Sequence, residues 1–474
     1  MNVSIVGAGY VGLVTGLCLA DRGHRVTCVD IDAQRVAQLL KGSLPLYEAG
    51  LDELFARHLG KSFFPTVDLT RAVHESELTM IAVGTPLENG GINLQFVADA
   101  SAAIGSALAT KSAYHVVVVK STVVPGTTDE VVCRILEQAS GRKSGRDFGV
   151  GMNPEFLREG EAVGDFLKPD RIVLGGSDPR CLQTMDQLYA GFGDVPRIYT
   201  NARTAEMIKY ASNALLATLI SFSNEIGNLC AHAPGVDAVD VMQGVHLDRR
   251  ITSLTSDGTR VTPGITAYLK SGCGFGGSCF PKDVGALIRW AYEHSRPVPI
   301  LSAVVETNAK QSSEVIRLLE KHFADLQGVR VAVLGLAFKP GTDDVRESPA
   351  LRVIAELRRG GAEVTVYDPV ARAAALGLLG ESIDYCESLP AAVQNADAVI
   401  LLTAWPEFQR LPDVLEELSI APVVVDGRRV LDKSRIARYE GIGLSRAPHS
   451  PAPGSAVALA VGPDPLVAGP SRDI

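Results

Sequence analysis

The residues best equipped for covalent chemistry lie in Gly274-Phe275-Gly276-Gly277-Ser278-Cys279-Phe280-Pro281-Lys282-Asp283. Glycines there let the backbone approach a ligand closely. Pro281 suits the first turn of a helix carrying Val284, Leu287, Ile288 and Ala291 on one face, so Cys279 falls just before a helix N-terminus with Lys282 nearby. Both features favour a thiolate, the form that attacks carbonyl carbon. Asp283, four residues on, falls near the same face. The plainer alternative is a buried structural cysteine.

Two further sets of polar residues could serve such a nucleophile. Lys209 and Asn213 are four apart in a stretch with helical periodicity, so they share a face, which apolar residues flank. A lysine there either extends its head to water or is functional. In Asn153-Pro154-Glu155-Phe156-Leu157-Arg158-Glu159-Gly160, two carboxylates four apart could move protons or position water; a solvated helix end is the plainer reading.

A different chemistry opens the chain. Gly7-Ala8-Gly9-Tyr10-Val11-Gly12 follows an apolar strand and begins a helix. The first glycine permits a tight turn, the second lets backbone reach a pyrophosphate, and the third lets helix pack on strand. Asp30 ends the next strand, where an acid binds both ribose hydroxyls and repels a 2′-phosphate. That pattern predicts NAD rather than NADP. Arg35 complicates it, because an arginine can accept a 2′-phosphate.

The elements that must position these residues alternate strand and helix. Residues 3–7, 24–30, 78–86 and 115–123 read as buried strands of a parallel sheet covered by helices. Residues 205–230 contain no proline and one glycine, and they read as a long helix. From Gly328 the rhythm restarts, but the turn Gly335-Leu336-Ala337 lacks the second glycine, so this copy is less suited to a dinucleotide. The predicted fold is α/β, with two doubly wound Rossmann-like domains joined by a long central helix. The first spans 1–200; a central helical domain with the cysteine and dimer contacts spans 201–325; the second Rossmann-like domain spans 326–446. Residues 447–474, rich in Pro, Ala and Gly, read as a disordered tail.

Composition narrows the classes. The 45 Lys and Arg against 54 Asp and Glu give a net charge of -9, which argues against general nucleic-acid binding. Residues 3–20 are uncharged but lack a basic leader and hold four glycines, so a cytoplasmic protein without membrane spans is expected. None of the eight cysteines sits in a C-x-x-C pair, so neither a metal site nor disulfides are expected.

In combination, GAGYVG (7–12), VGTP (83–86), KSTV (120–123), NPEFLREG (153–160), EMIKYASN (206–213), GFGGSCFPKD (274–283), GLAFKPGTDDVRES (335–348) and DGRR (426–429) resemble the UDP-glucose/GDP-mannose dehydrogenases. The resemblance runs from residue 1 to about residue 445 and is strongest to the UDP-glucose 6-dehydrogenase branch. It implies that Cys279 is the nucleophile and that Lys209, Asn213 and Asp283 serve the first oxidation and stabilise oxyanions. It gives Glu155 and Glu159 to proton transfer and the hydrolytic water, with Thr122 placing another water. Besides Gly7, Gly9, Tyr10, Val11 and Gly12, the implied NAD contacts are Asp30, Arg35, Thr85, Thr122, Glu159, Lys282 and Arg346. The implied sugar-nucleotide contacts are Phe156, Leu157, Arg158, Lys209, Asn213, Gly274, Phe275, Gly276, Phe338, Lys339 and Arg428. Arg250 resembles an arginine that reaches a neighbouring subunit's site, and the family implies a homodimer or higher homo-oligomer. Loops tolerate insertions, and the stretch from Arg250 to Gly274 is longer than the family pattern by roughly a dozen residues, 252–264 being the excess.

The expected reaction is a four-electron, NAD-dependent oxidation of UDP-glucose to UDP-glucuronate through a Cys279 thiohemiacetal and thioester. The alternatives are the same chemistry on TDP-glucose or another nucleotide sugar, a two-electron dehydrogenase in which Cys279 is structural, and a non-catalytic NAD-binding scaffold.

Overall fold

The computed structural model describes residues 1–88 and 90–446; the tail expected at 447–474 lies outside the described residues. An eight-stranded sheet holds, in order, Arg197–Thr200, Ile172–Gly176, Phe148–Met152, His115–Val119, Leu78–Ile81, Asn2–Val6, Arg25–Val29 and Phe63–Thr66. His115–Val119 and Leu78–Ile81 are buried along their whole length, which is why these segments read as unbroken apolar runs. Neighbouring strands are parallel except at one join: Phe148–Met152 and Ile172–Gly176 run antiparallel. The expectation of a parallel sheet fails there because the connecting chain stays at the carboxyl end of Phe148–Met152. The connection is spent on loop 153–160 and the short helix Ala162–Leu167, so the next strand must run back.

Asn201 then caps the helix Ala202–Cys230, its side chain accepting from the Thr204 amide. This helix packs against Phe280–Glu293 and Pro299–Glu320. Their shared core includes Tyr210, Ala214, Ala217, Phe275, Val284, Leu287 and Val304. Among the described residues no helix is long and apolar enough to cross a membrane.

The second Rossmann-like sheet has the order Asp384–Tyr385, Glu363–Tyr367, Arg330–Leu334, Ala398–Leu401, Val423–Asp426, Tyr439–Gly441, all parallel. Its turn shows why it differs from the first. Asp368 Oδ2 accepts from the amides of Leu336 (2.7 Å) and Ala337 (3.0 Å) and from Trp405 Nε1 (3.1 Å). Its Oδ1 accepts from the Val370 and Ala371 amides at 2.9 Å. The first turn makes the matching contact, from the Ala8 amide to Asp30, but a helix opens there at Tyr10, whereas here the next helix begins only at Pro349, so the second turn offers a pyrophosphate no helix N-terminus.

This sheet is joined firmly to the central helices. The Cys273 amide donates to Gly427 O at 2.8 Å, and buried Asp237 pairs with Arg429 (2.8 Å) and Lys433 (2.7 Å). Within residues 252–264, Ser253–Leu254 pairs antiparallel with Arg260–Val261 in an exposed hairpin.

Candidate active site

The cysteine loop is built as the residue types require. Cys279 is the N-cap of Phe280–Glu293, with Pro281 in the first turn. Gly274 and Gly277 have φ of +96° and +82°, and a Cβ on Gly277 would come within 2.8 Å of the Phe338 ring. Asn308 holds the loop from the neighbouring helix: its Oδ1 accepts from the Phe275 amide (2.8 Å), and its Nδ2 donates to Phe275 O (3.0 Å). Sequence reasoning missed Asn308, which stands among other polar residues of Pro299–Glu320 and carries no distinguishing signal.

Two buried polar pairs flank the cysteine. Lys209 Nζ donates to Glu155 Oε1 at 2.7 Å, and Asn213 Nδ2 donates to Asp283 Oδ2 at 2.6 Å. Lys282 closes on the other Asp283 oxygen at 2.5 Å. Lys209 and Asn213 thus share a face, each meeting a carboxylate from another segment. Burial pushes Glu155 up, but Lys209, the Leu157 amide and Lys120 together hold it below the usual carboxylate range. Burial pushes Lys209 down, yet Glu155, Cys279 and Asp283 outweigh it and keep the ammonium charged. Lys120 is buried beneath, donating to Asn153 Oδ1 at 2.9 Å, its amine pushed down to about 8 by burial.

Glu155 and Glu159 diverge, because residues 153–160 form a loop and not a helix end. Glu159 turns toward the cysteine and the third domain. Ser278 Oγ donates to its Oε1 at 3.3 Å, and Arg346 lies 3.6 Å away. Its Oε2 is buried with no hydrogen-bond partner among the described residues. Burial, reinforced by Asp344 and opposed by Arg346, pushes this carboxyl up to about 7.

The expectation of a thiolate at Cys279 is corrected by these surroundings. Burial, then Glu155, with Asp283 adding, pushes the thiol up to about 11, and Lys209 opposes this only in part. Lys282, expected to help, is paired with Asp283, and the half-charge of a helix terminus does not offset two anions.

The first sheet's turn fits NAD. Gly7 has φ +108°, and a Cβ on Gly12 would overlap the Gly7 carbonyl oxygen, whereas one on Gly9 would meet nothing within 4 Å. Gly9 therefore leaves space at the helix N-terminus begun by Tyr10 and Val11. Asp30 is buried, accepts from the Ala8 amide at 2.7 Å and pairs with Arg35 at 3.3 Å. Arg35 is thereby tied to the acid that repels a 2′-phosphate. Thr85 Oγ1 donates to Thr122 O at 3.0 Å, which joins two of the expected cofactor residues.

The expected sugar-nucleotide residues are placed less uniformly. The Phe156 ring has the Arg171 guanidinium 3.9 Å and Lys209 Nζ 5.6 Å from its centroid. The Leu157 amide donates to Glu155 at 2.6 Å. Arg158 pairs with Asp165 and Glu161. A Cβ on Gly276 would overlap Glu347 O. Burial pushes the Lys339 amine down, against Glu161 and Glu159. Arg428 spends its donors on the carbonyls of Leu402 (2.6 Å), Gly274 (2.9 Å) and Phe338 (3.3 Å), so it ties the cysteine loop to the third domain. Arg250 stands apart: its side chain is 89% exposed and pairs only with Asp248 among the described residues.

Residues 1–193 match the NAD binding domain of the UDP-glucose/GDP-mannose dehydrogenase family, 203–310 its central domain and 332–433 its UDP binding domain. The chain belongs to this family. It is an NAD-dependent nucleotide-sugar dehydrogenase. Similar family members include a UDP-glucose 6-dehydrogenase of Haloferax volcanii, 42% identical over 447 residues that cover 93% of this chain and 100% of that one. Another, from Bacillus subtilis, is 41% identical over 444 residues, 92% of each chain. A solved UDP-glucose dehydrogenase structure from Pyrobaculum islandicum superposes with a TM-score of 0.84 at 40% identity, covering 94% of this chain and 98% of that one.

Proposed function

We propose that this dehydrogenase oxidises UDP-glucose to UDP-glucuronate, removing four electrons through a covalent intermediate on Cys279. The observation that carries the reading is the set around one thiol: Cys279 at a helix N-terminus, with the Lys209–Glu155 and Asn213–Asp283 pairs on one side and Ser278–Glu159 on the other. The relatives' names supply the sugar nucleotide. In this reading residues 1–200 hold NAD, 201–325 carry the nucleophile and the dimer contacts, and 326–446 hold the nucleotide. A homodimer is part of the proposal, because Leu215, Phe222 and Leu229 on Ala202–Cys230 are exposed apolar side chains.

NAD, held by Gly7, Gly9, Tyr10, Val11, Gly12 and Asp30, would supply the hydride acceptor for the first oxidation, and a second NAD, exchanged for the NADH formed, would supply that for the second. Asp283, oriented by Asn213, takes the C6 hydroxyl proton directly or through water, and the Lys209 ammonium stabilises the alkoxide. The sulfur of Cys279 then bonds to the aldehyde carbon, and the thiol proton leaves to a neighbouring carboxylate as that bond forms. The thiohemiacetal keeps the aldehyde from escaping and still bears a carbon-bound hydrogen, whose removal leaves a thioester. Water attacks that carbon and expels the thiol, with Glu155 or Glu159 accepting its proton.

The test is stoichiometry. Limiting UDP-glucose should yield two NADH per sugar, with the uronate as the accumulating product, and Cys279→Ala should abolish the second oxidation while still binding substrate and NAD. One NADH per sugar, or full activity in Cys279→Ala, would establish the two-electron alternative. A kcat/KM for TDP-glucose above that for UDP-glucose would move the assignment to that nucleotide.

A further inference from the structure

A buried carboxylate outside the residues discussed so far joins two parts of the site. Glu48 lies in the irregular segment between Ala33–Leu40 and Leu51–His58 and is 3% exposed. Its Oε2 accepts from the Tyr10 hydroxyl and from the Gly160 amide at 2.6 Å, and its Oε1 accepts from the Ala162 amide at 2.8 Å. Tyr10 opens the helix at the dinucleotide turn, and Ala162 opens Ala162–Leu167. These donors come from segments 38 and more than a hundred residues away, and all of them are neutral. A carboxylate kept out of water needs every such donor, so the arrangement tolerates little displacement.

Gly160 is where this matters. Its φ is +83°, and a Cβ on it would overlap the Gly341 carbonyl oxygen, so the loop presses against the third domain there. The preceding residue is Glu159, which Ser278 Oγ reaches at 3.3 Å beside Cys279. We propose that Glu48 is a positioning residue: by fastening the Gly160 and Ala162 amides to Tyr10, it sets Glu159 against Ser278 and Cys279 and ties that placement to the dinucleotide turn. The inference rests on the proposed role of Glu159 beside the Cys279 intermediate.

Glu48→Gln keeps the size but turns an amide NH2 toward one of the donors, so the Gly160 or Ala162 N–H loses its acceptor. Loss of such a bond to a charged acceptor should lower kcat about tenfold and raise the NAD KM, with the UDP-glucose KM moving less than about threefold. With Glu159 as the proton acceptor of the hydrolytic step, the acid limb of the kcat–pH profile should shift as well. Tyr10→Phe removes one donor and should also raise the NAD KM. Combined with Glu48→Gln it should add little, because the two groups share one bond. A lowered Tm with unchanged kcat, NAD KM and pH profile in Glu48→Gln would overturn the proposal, since a purely structural role moves only Tm. If Glu48→Gln does not fold, Tyr10→Phe decides: an unchanged NAD KM and pH profile overturns the coupling. Wild-type stoichiometry separates the two readings. One NADH per sugar sinks the thioester, whereas two NADH with an unaltered Glu48→Gln enzyme sinks only this inference.

Discussion

Alkylation of Cys279 should report how strongly its anionic neighbours suppress the thiolate. Burial and the Glu155 and Asp283 carboxylates push the thiol up to about 11. At pH 8 the thiolate fraction is therefore on the order of one in a thousand, and it grows about tenfold per pH unit. In the enzyme without substrate, iodoacetamide labelling of the Cys279 peptide, followed by mass spectrometry, should rise log-linearly between about pH 7 and 9.5 with no plateau. Glu155→Gln removes one anion and frees the Lys209 ammonium that is now bonded to Glu155 at 2.7 Å. A unit charge about 5 Å away at an effective dielectric of about 20 is worth roughly 3 kcal/mol, about two powers of ten. With screening by water, labelling at pH 8 should accelerate by about ten- to a hundredfold. Saturating UDP-glucose should protect. Cys273, which is buried, should stay unlabelled in both proteins. A wild-type plateau near pH 7, or slower labelling in Glu155→Gln, would refute the electrostatic argument and restore the activated thiolate expected from helix position alone.

Asp30→Ala should raise the NAD KM by about ten- to a hundredfold, the loss of one or two hydrogen bonds to a charged acceptor, and should narrow the preference over NADP; a wild-type enzyme equally active with NADP would refute the assignment. Lys209→Met leaves the Glu155 carboxylate buried without its cation and should destabilise the fold by about 3–5 kcal/mol in chemical denaturation. A loss below about 1 kcal/mol would show that Glu155 had become protonated or solvated instead.

Features carried by neighbours in sequence were legible from the residues. Gly7, Gly9 and Gly12 state a local backbone path, Asp30 follows at the spacing of one strand–helix–strand unit, and Lys209 and Asn213 share a face by helical geometry. Cys279 at the start of a helix was readable from Pro281 and the apolar spacing after it. What the residues left open were the partners of each group. Glu155 and Glu159 looked like a pair, but the loop sends one to Lys209 and the other to Ser278 and Arg346.

Only the tertiary structure decided the surroundings of Cys279 and the partners of Glu48, Asn308 and Arg428. A pKa sums burial with charges from every segment that packs nearby; Glu155 lies over a hundred residues from Cys279 in sequence, yet after burial it does most to push the thiol up. Glu48 shows no motif, because its meaning lies in three donors supplied by chain 38 and more than a hundred residues away. The sequence by itself determined the α/β architecture, the NAD turn and the cysteine helix, since local sterics and periodicity write those into adjacent residues. Which charges meet was left to the packing of the domains, whose long-range contacts no spacing along the chain encodes.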